Sequence, residues 1–253
     1  MNDVLQDIFT HNRVRAGDGT ILPLQSAISL EQGRFLQQLI SELQPMTTLE
    51  VGLAFGVSAL FICESLSALE SKDQQARRHI VMDPSQHEPC WRGIGLLNLQ
   101  RAGYEAMIEF HELPSQQALP QLEQRGVQVD FAFIDGWHTF DHALVDCFYV
   151  DKLLRPGGLL VLDDVEYPGL HKLCRFWATN RAYQVHRSLA PAKPFVPSWK
   201  RQIACRLAAL SPRLCKPEWI QPSETLGIVP GSRCVAFKKI AADGRSWDDY
   251  KEF

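Results

Sequence analysis

Residues 129–165 read VDFAFIDGWHTFDHALVDCFYVDKLLRPGGLLVLDDV. An apolar strand runs into Asp135, a helical pattern follows, and a second apolar strand runs into Asp163 and Asp164. In a parallel α/β sheet the carboxyl ends of the strands share one rim, so this order brings the three carboxylates together. His138 stands three positions beyond Asp135, near enough to act on whatever the acids hold.

Working outward, the flanking segments repeat the same rhythm. Thr48–Val51, His79–Met82, Glu105–Phe110, Phe131–Ile134 and Leu159–Leu162 read as strands. Helical patterns separate them, the clearest being the stripe Phe35, Leu36, Leu39, Ile40 and Leu43, with Ser29 as its N-cap and Gln32 as the box partner. Pro156-Gly157-Gly158 is expected to stop the helix before the fifth strand and turn the chain. Alternation of this kind predicts an α/β fold with a mostly parallel, doubly wound sheet. Beyond Asp164 the rhythm breaks: a helix is expected over Leu170–Thr179 and an extended run over Tyr183–Leu189. Thr225–Val229 and Cys234–Ile240 are expected to pair across Pro230-Gly231-Ser232 as an antiparallel edge. Residues 1–28 read as a loose leader. Residues 190–222, with six prolines and a basic helix over Trp199–Leu210, read as a cap inserted into a single domain of 253 residues.

Composition narrows the function classes. Apolar residues make up 45% and charged residues 22%, an ordinary globular mixture. A net charge of -3 gives no drive toward a nucleic-acid backbone. Seven scattered cysteines without a C-x-x-C pair, and an N-terminal stretch without a long apolar run, point to a reducing cytoplasm and to neither leader nor membrane span.

Leu49-Glu50-Val51-Gly52-Leu53-Ala54-Phe55-Gly56-Val57-Ser58 reads as strand, glycine turn and helix start. Gly52 leaves room where a ligand approaches backbone, Gly56 permits close packing, and Ser58 is a candidate cap. Glu50 either reaches the ligand or supports the turn. Asp83 ends the second strand, where a carboxylate can accept hydrogen bonds from both ribose hydroxyls. A pyrophosphate sits poorly beside two carboxylates, whereas a cationic sulfonium nucleoside does not, which favours S-adenosylmethionine over NAD.

The rim carries the chemistry. Asp135, Asp163 and Asp164 repel one another unless a cation joins them, and a hard ion such as Mg²⁺ accepts such an oxygen set. Imidazole has a reference pKa of about 6.5, so His138 suits a general base near neutrality. An unassisted hydroxyl, taken as water with a pKa of about 15.7, stands some 9 units above it, on the order of 12 kcal/mol. Metal coordination narrows that gap, so the base and the acids explain each other.

The motifs E-V-G-x-x-x-G-x-S at 50–58, F-I-D-G-x-H at 133–138 and L-L-R-P-G-G-x-x-x-x-D-D at 153–164 resemble the class I S-adenosylmethionine-dependent methyltransferases. They are similar above all to the metal-dependent small-molecule O-methyltransferases of the catechol, caffeoyl-CoA and macrolide-sugar types, over about residues 29–189. The resemblance implies a Rossmann-like fold and cofactor contacts at Glu50, Gly52, Gly56, Ser58 and Asp83. It also implies a divalent cation such as Mg²⁺ on Asp135, Asp163 and Asp164, with His138 as base. An acid at 164 and a His at 138 match the sugar-modifying branch better than the catechol branch, so a sugar-like or other aliphatic hydroxyl of a small secondary metabolite is the expected substrate. After the third strand, Phe110-His111-Glu112-Leu113-Pro114-Ser115 departs from the family's adenine segment, and Ser115 is the remaining candidate for the adenine edge. Two rivals stay open: a metal-dependent hydroxylase-like enzyme, since acids plus a His also hold iron, and a non-catalytic cofactor-binding partner. Tyr167, Trp177, Trp199 and Trp219 line an aromatic substrate cavity, stack on a sugar face or pack a cap, and the cap in turn is a candidate interface of a homodimer or higher oligomer.

Overall fold

A computed structural model of the protein describes residues 1–70, 76–191, 198–199, 203, 205 and 217–253. Helices α2 (Leu30–Leu43), α3 (Val57–Ala68), α4 (Ile94–Arg101), α5 (Ser115–Gln124), α6 (Phe140–Leu153) and α7 (Pro168–Asn180) alternate with strands β3 (Thr47–Val51), β4 (Arg78–Met82), β5 (Ile108–His111), β6 (Val129–Ile134), β7 (Leu154–Leu162), β8 (Tyr183–Ser188) and β9 (Val235–Lys239). Before them stand α1 (Asp3–His11) and a small hairpin of β1 (Arg13–Arg15) and β2 (Ile21–Pro23).

The main sheet has seven strands in the order β5-β4-β3-β6-β7-β9-β8. Neighbours from β5 to β7 are parallel, and β9 lies antiparallel between β7 and β8. Strand side chains divide by the period of two. Leu49, Val51, Ala132, Ile134, Leu160 and Leu162 join one core, with buried residues of α5, α6 and α7. Phe131, Phe133, Leu159 and Val161 join the other, with α2, α3 and α4. The α/β, doubly wound expectation is met.

Several local expectations change. The first 28 residues are ordered: the Asn2 side chain caps α1, and Leu5 and Ile8 are buried. The third strand is shorter than its apolar run, because Glu105–Met107 forms a 3₁₀ turn. Pro156-Gly157-Gly158 lies within β7 rather than turning the chain, and α6 ends at Leu153. Residues 225–229 make no strand. Ser223–Leu226 is a 3₁₀ turn closed by Gly227 at φ 83°, a helical ending incompatible with an extended run, so β9 pairs with β7 and β8 instead. The basic helix expected over Trp199–Leu210 lies largely outside the described residues. Among the described residues no helix is long and apolar enough to cross a membrane. The described cysteines are free thiols, with Cys63, Cys147, Cys174 and Cys234 buried.

The winding places the site. From β3 the chain proceeds outward to β4 and β5, then returns to start β6 on the opposite flank. Strand order reverses between β3 and β6, and a crevice opens at the carboxyl ends there. Ladder bonds continue past those ends: Gly52 N–H donates to Met82, Asp83 to His111, Asp135 to Val51 and Asp163 to Ile134. Gly52, Asp83, Asp135 and Asp163 thus stand along one rim.

Candidate active site

A cavity of about 720 Å³ occupies that crevice, enough for a nucleoside and a small second reactant. Its floor is the glycine turn. Gly52 has φ 96°, and a Cβ there would fall 2.3 Å from the Asp135 carbonyl oxygen, so only glycine fits. Gly56, at φ 76°, faces the Gly95 carbonyl, where an added Cβ would come within 2.9 Å. Ala54 also has a positive φ, 47°. Asp83 holds this turn: its Oδ2 accepts from the backbone N–H groups of Leu53 (3.2 Å) and Ala54 (2.9 Å), and its Oδ1 accepts from Ser85 N–H (2.9 Å). It lines the cavity at the end of β4 with lone pairs left for a ligand hydroxyl.

Glu50 and Ser58 resolve differently from Gly52 and Asp83. Glu50 is fully buried on the α3 side of the sheet, where it accepts a short hydrogen bond from the Ser58 hydroxyl. His79 Nε2 stands 2.8 Å from its other oxygen, and His79 Nδ1 is 2.9 Å from the Thr48 hydroxyl. Of the two alternatives for Glu50, the geometry selects support of the turn. Gly56, not Ser58, is the N-cap of α3. Ser58 still lines the cavity. Glu50→Ala leaves buried His79 and Ser58 without their acceptor, and is expected to cost about 3 kcal/mol or more of folding stability. Urea denaturation measures this; a loss below about 1 kcal/mol contradicts the structural role.

At the rim, Asp135, His138 and Asp164 each bring a ligand atom within 4.8 Å of the others. His138 Nε2 lies 3.4 Å from Asp164 Oδ2. Asp164 adopts φ 52°, a left-handed conformation that Asp tolerates and that turns its carboxylate toward this cluster. Arg233 Nη2 donates to the other Asp164 oxygen at 3.0 Å, and Arg233 Nε is 3.2 Å from Glu166.

Asp163 stands apart from that cluster. It is almost wholly buried, and both its oxygens accept from the Gln32 side-chain amide (2.7 and 2.8 Å), while the Cys234 thiol donates to Oδ1 at 2.9 Å. Gln32 is also the capping-box partner of Ser29, so one side chain ties the start of α2 to the end of β7. The acid trio expected at the rim is therefore replaced by two acids and a histidine, because Asp163, first in an Asp-Asp pair, points inward where Asp164 points out.

Burial, followed by repulsion from Asp163, Asp164 and Glu50, pushes Asp135 well above the usual carboxylate range. Burial also raises Asp163, against the hydrogen bond from Cys234. An acid raised in the folded state withdraws stability as pH climbs through its folded value, so alkaline pH strains this rim unless positive charge arrives. Two carboxylates and an imidazole fit a divalent ion in donor type.

Ser115, of the expected set, opens α5 and lines the cavity, and one acid outside that set, Asp146 of α6, lines it as well. Asp146 carried a sequence signal: it falls among Ala143, Cys147 and Val150, the buried face of α6, where a carboxylate needs a reason. Arg233 carried none, sitting in a loop before β9. Trp91 packs edge-on against Phe55 at 5.1 Å, and Trp177 is core; Tyr167 is half exposed, 5.8 Å from the His138 ring.

Comparison with known proteins agrees with this geometry. Residues 49–165 match a methyltransferase domain family. The chain is 28% identical over 158 residues to catechol O-methyltransferase B of Danio rerio, covering 61% of this chain and 55% of that enzyme. It is 24% identical over 232 residues to a probable caffeoyl-CoA O-methyltransferase of Arabidopsis thaliana, covering 88% of this chain and 82% of that one. It is 29% identical to the catechol O-methyltransferase of Mycobacterium tuberculosis, covering 59% and 61%. The match thus spans little more than half of the two catechol enzymes. In fold it resembles an O-methyltransferase from Bacillus cereus in complex with SAH, at 22% identity with a TM-score of 0.59 over 73% of this chain and 83% of that one. It also resembles a putative O-methyltransferase from Klebsiella pneumoniae, at 16% identity with a TM-score of 0.60 over 95% and 91%.

In fold and in sequence over residues 49–165 this chain is similar to the class I S-adenosylmethionine-dependent methyltransferases. Within that class, its relatives are O-methyltransferases of the catechol and caffeoyl-CoA kind.

Proposed function

We propose that this protein transfers a methyl group from S-adenosylmethionine to a hydroxyl oxygen of a small molecule, with a divalent cation such as Mg²⁺ at the rim. The observation that carries the reading is the convergence of Asp135, His138 and Asp164 within one cavity that also exposes Gly52 and Asp83. The donor supplies an electrophilic sulfonium methyl. A cation held by Asp135 and Asp164 would polarise the substrate oxygen and lower the pKa of its hydroxyl.

This chain's residues do the rest. Gly52 admits the donor against the backbone, and Asp83 orients its ribose. His138 takes the hydroxyl proton as the oxygen–carbon bond forms and the sulfur–carbon bond breaks, leaving S-adenosylhomocysteine. Holding the two reactants in contact converts a bimolecular step into an effectively unimolecular one. Asp163 keeps Asp164 in place through the fixed end of β7 rather than by ligation. Trp137 and Tyr167, both exposed at the mouth, offer ring faces to a substrate, and a sugar-like or other aliphatic secondary metabolite fits a histidine base and aromatic walls. The whole chain works as one domain; the cap read over residues 190–222 falls largely outside the described residues.

His138 within the cluster also favours a second reading, in which it ligates iron in an oxygen-dependent hydroxylation. A methyl-transfer assay with isotopically labelled donor, run on hydroxylated metabolite extracts with EDTA or added Mg²⁺, separates the two. Label transfer that EDTA abolishes and Mg²⁺ restores is expected. Full transfer in EDTA overturns the metal role, and product formation that requires iron and dioxygen supports hydroxylation instead.

A further inference from the structure

Helix α6 is apolar on two opposite sides. Ala143, Cys147 and Val150 face the core. On the other side Val145 is 38% exposed and Phe148 43%, where a surface helix ordinarily carries polar groups. The Phe148 ring stands edge-on to Tyr149 at 5.2 Å, and the Lys152 ammonium lies over it at 4.9 Å from the centroid. Asp141, in the first turn, is largely exposed.

The exposed stripe therefore reads Asp141, Val145, Phe148, Lys152, four positions within a narrow arc of the helix. Its order is self-complementary. Asp141 stands as far before the midpoint as Lys152 stands after it, and Val145 mirrors Phe148 in the same way. The charged ends are about 16 Å apart along the axis at a rise of about 1.5 Å per residue. A second α6 laid antiparallel across a two-fold axis sets Asp141 against the partner's Lys152 twice, with the apolar pair packed between.

We propose that this protein forms a homodimer in which α6 packs antiparallel against α6 of a second copy. A two-fold interface uses one patch on both subunits, so the patch must complement itself, and this stripe does. The helix dipole accounts for an acid in the first turn and a base in the last, but not for two large apolar side chains facing water between them. Lys152 already donates to Glu123 of α5 at 2.9 Å, and an ammonium has further hydrogens for a second carboxylate. One stripe falls short of the about 800 Å² per subunit of a typical stable interface. The neighbouring α5 extends the surface with exposed Gln117, Gln121 and Gln124, polar side chains without charge that suit an interface rim. The first turn of α6 also carries His142, which lines the cavity, so the pairing sets the partner's Lys152 near the edge of each active site.

Sedimentation equilibrium of the full chain, at protein concentrations up to about 100 µM, tests this with D141K, K152E and F148E as variants and thermal unfolding as the check on folding. The wild type should reach a dimer. D141K and K152E each replace two attractive pairs by two repulsive ones, and each should weaken self-association by about 10-fold or more. F148E should remain monomeric. Mixed in equal amounts, D141K and K152E form a heterodimer in which both ion pairs are opposite again, so the mixture should recover dimer to within about threefold of the wild-type affinity. Only an antiparallel pairing in this register gives that recovery. A wild type that stays monomeric throughout overturns the inference, as does a dimer that F148E and both charge reversals leave intact. A mixture that associates no better than either variant alone overturns the antiparallel pairing.

Discussion

Asp135→Asn is expected to lower kcat/KM for methyl transfer by about 10³-fold, equivalent to about 4 kcal/mol of transition-state stabilisation. Asp135 sits where burial and three neighbouring acids press on one carboxylate. The amide keeps its shape and removes its charge, so any cation loses its central ligand while the fold gains by relief of repulsion. The expected result is therefore asymmetric: activity collapses, S-adenosylhomocysteine affinity stays near the wild-type value, and the melting temperature without metal holds or rises. Steady-state kinetics, calorimetry and thermal unfolding on the same preparation measure all three. Wild-type turnover in D135N would remove the metal from the account.

His138→Ala is expected to cut kcat by about 10²- to 10⁴-fold, the range for loss of a positioned general base. Its ring is exposed enough to meet substrate and lies 3.4 Å from Asp164, which can orient it. The structure permits two roles, and metal affinity tells them apart. As base, His138 is dispensable for the cation: H138A binds metal as well as the wild type and recovers part of its turnover with added imidazole. As ligand, its removal weakens metal binding and imidazole does not restore turnover. The first outcome supports the proposed mechanism; the second supports the hydroxylase-like alternative.

Much of this architecture was legible in the chain because parallel α/β sheets write themselves plainly. Buried strands such as Phe131–Ile134 are short apolar runs, and a carboxylate at the end of such a run belongs to the rim whatever the loops do. The Ser29–Gln32 capping box was equally local and is present. Side-chain direction was not local. Asp163 and Asp164 are adjacent, and only the partners Gln32 and Cys234, 131 and 71 residues away, decide which one turns inward. Glu50 likewise depended on His79, whose burial cannot be seen from the turn it supports. The C-terminal pairing was misread for a different reason: Thr225–Val229 has strand-like composition, but Pro222 and Gly227 close it into a 3₁₀ turn and leave β9 to join β7. Arg233 pairs with Asp164 from a loop that only this strand order brings to the rim.

The central claim is that acids from the ends of β6 and β7 close on one divalent ion beside the methyl donor. Paramagnetic titration of Mn²⁺ into the S-adenosylhomocysteine complex, read by electron spin resonance and competed with Mg²⁺, tests it most directly. Saturable binding of a single ion in the wild type, displaced by Mg²⁺ and lost in D135N, is the predicted result. A wild type that leaves Mn²⁺ free at millimolar concentration, or a D135N protein that binds it equally well, would contradict the claim.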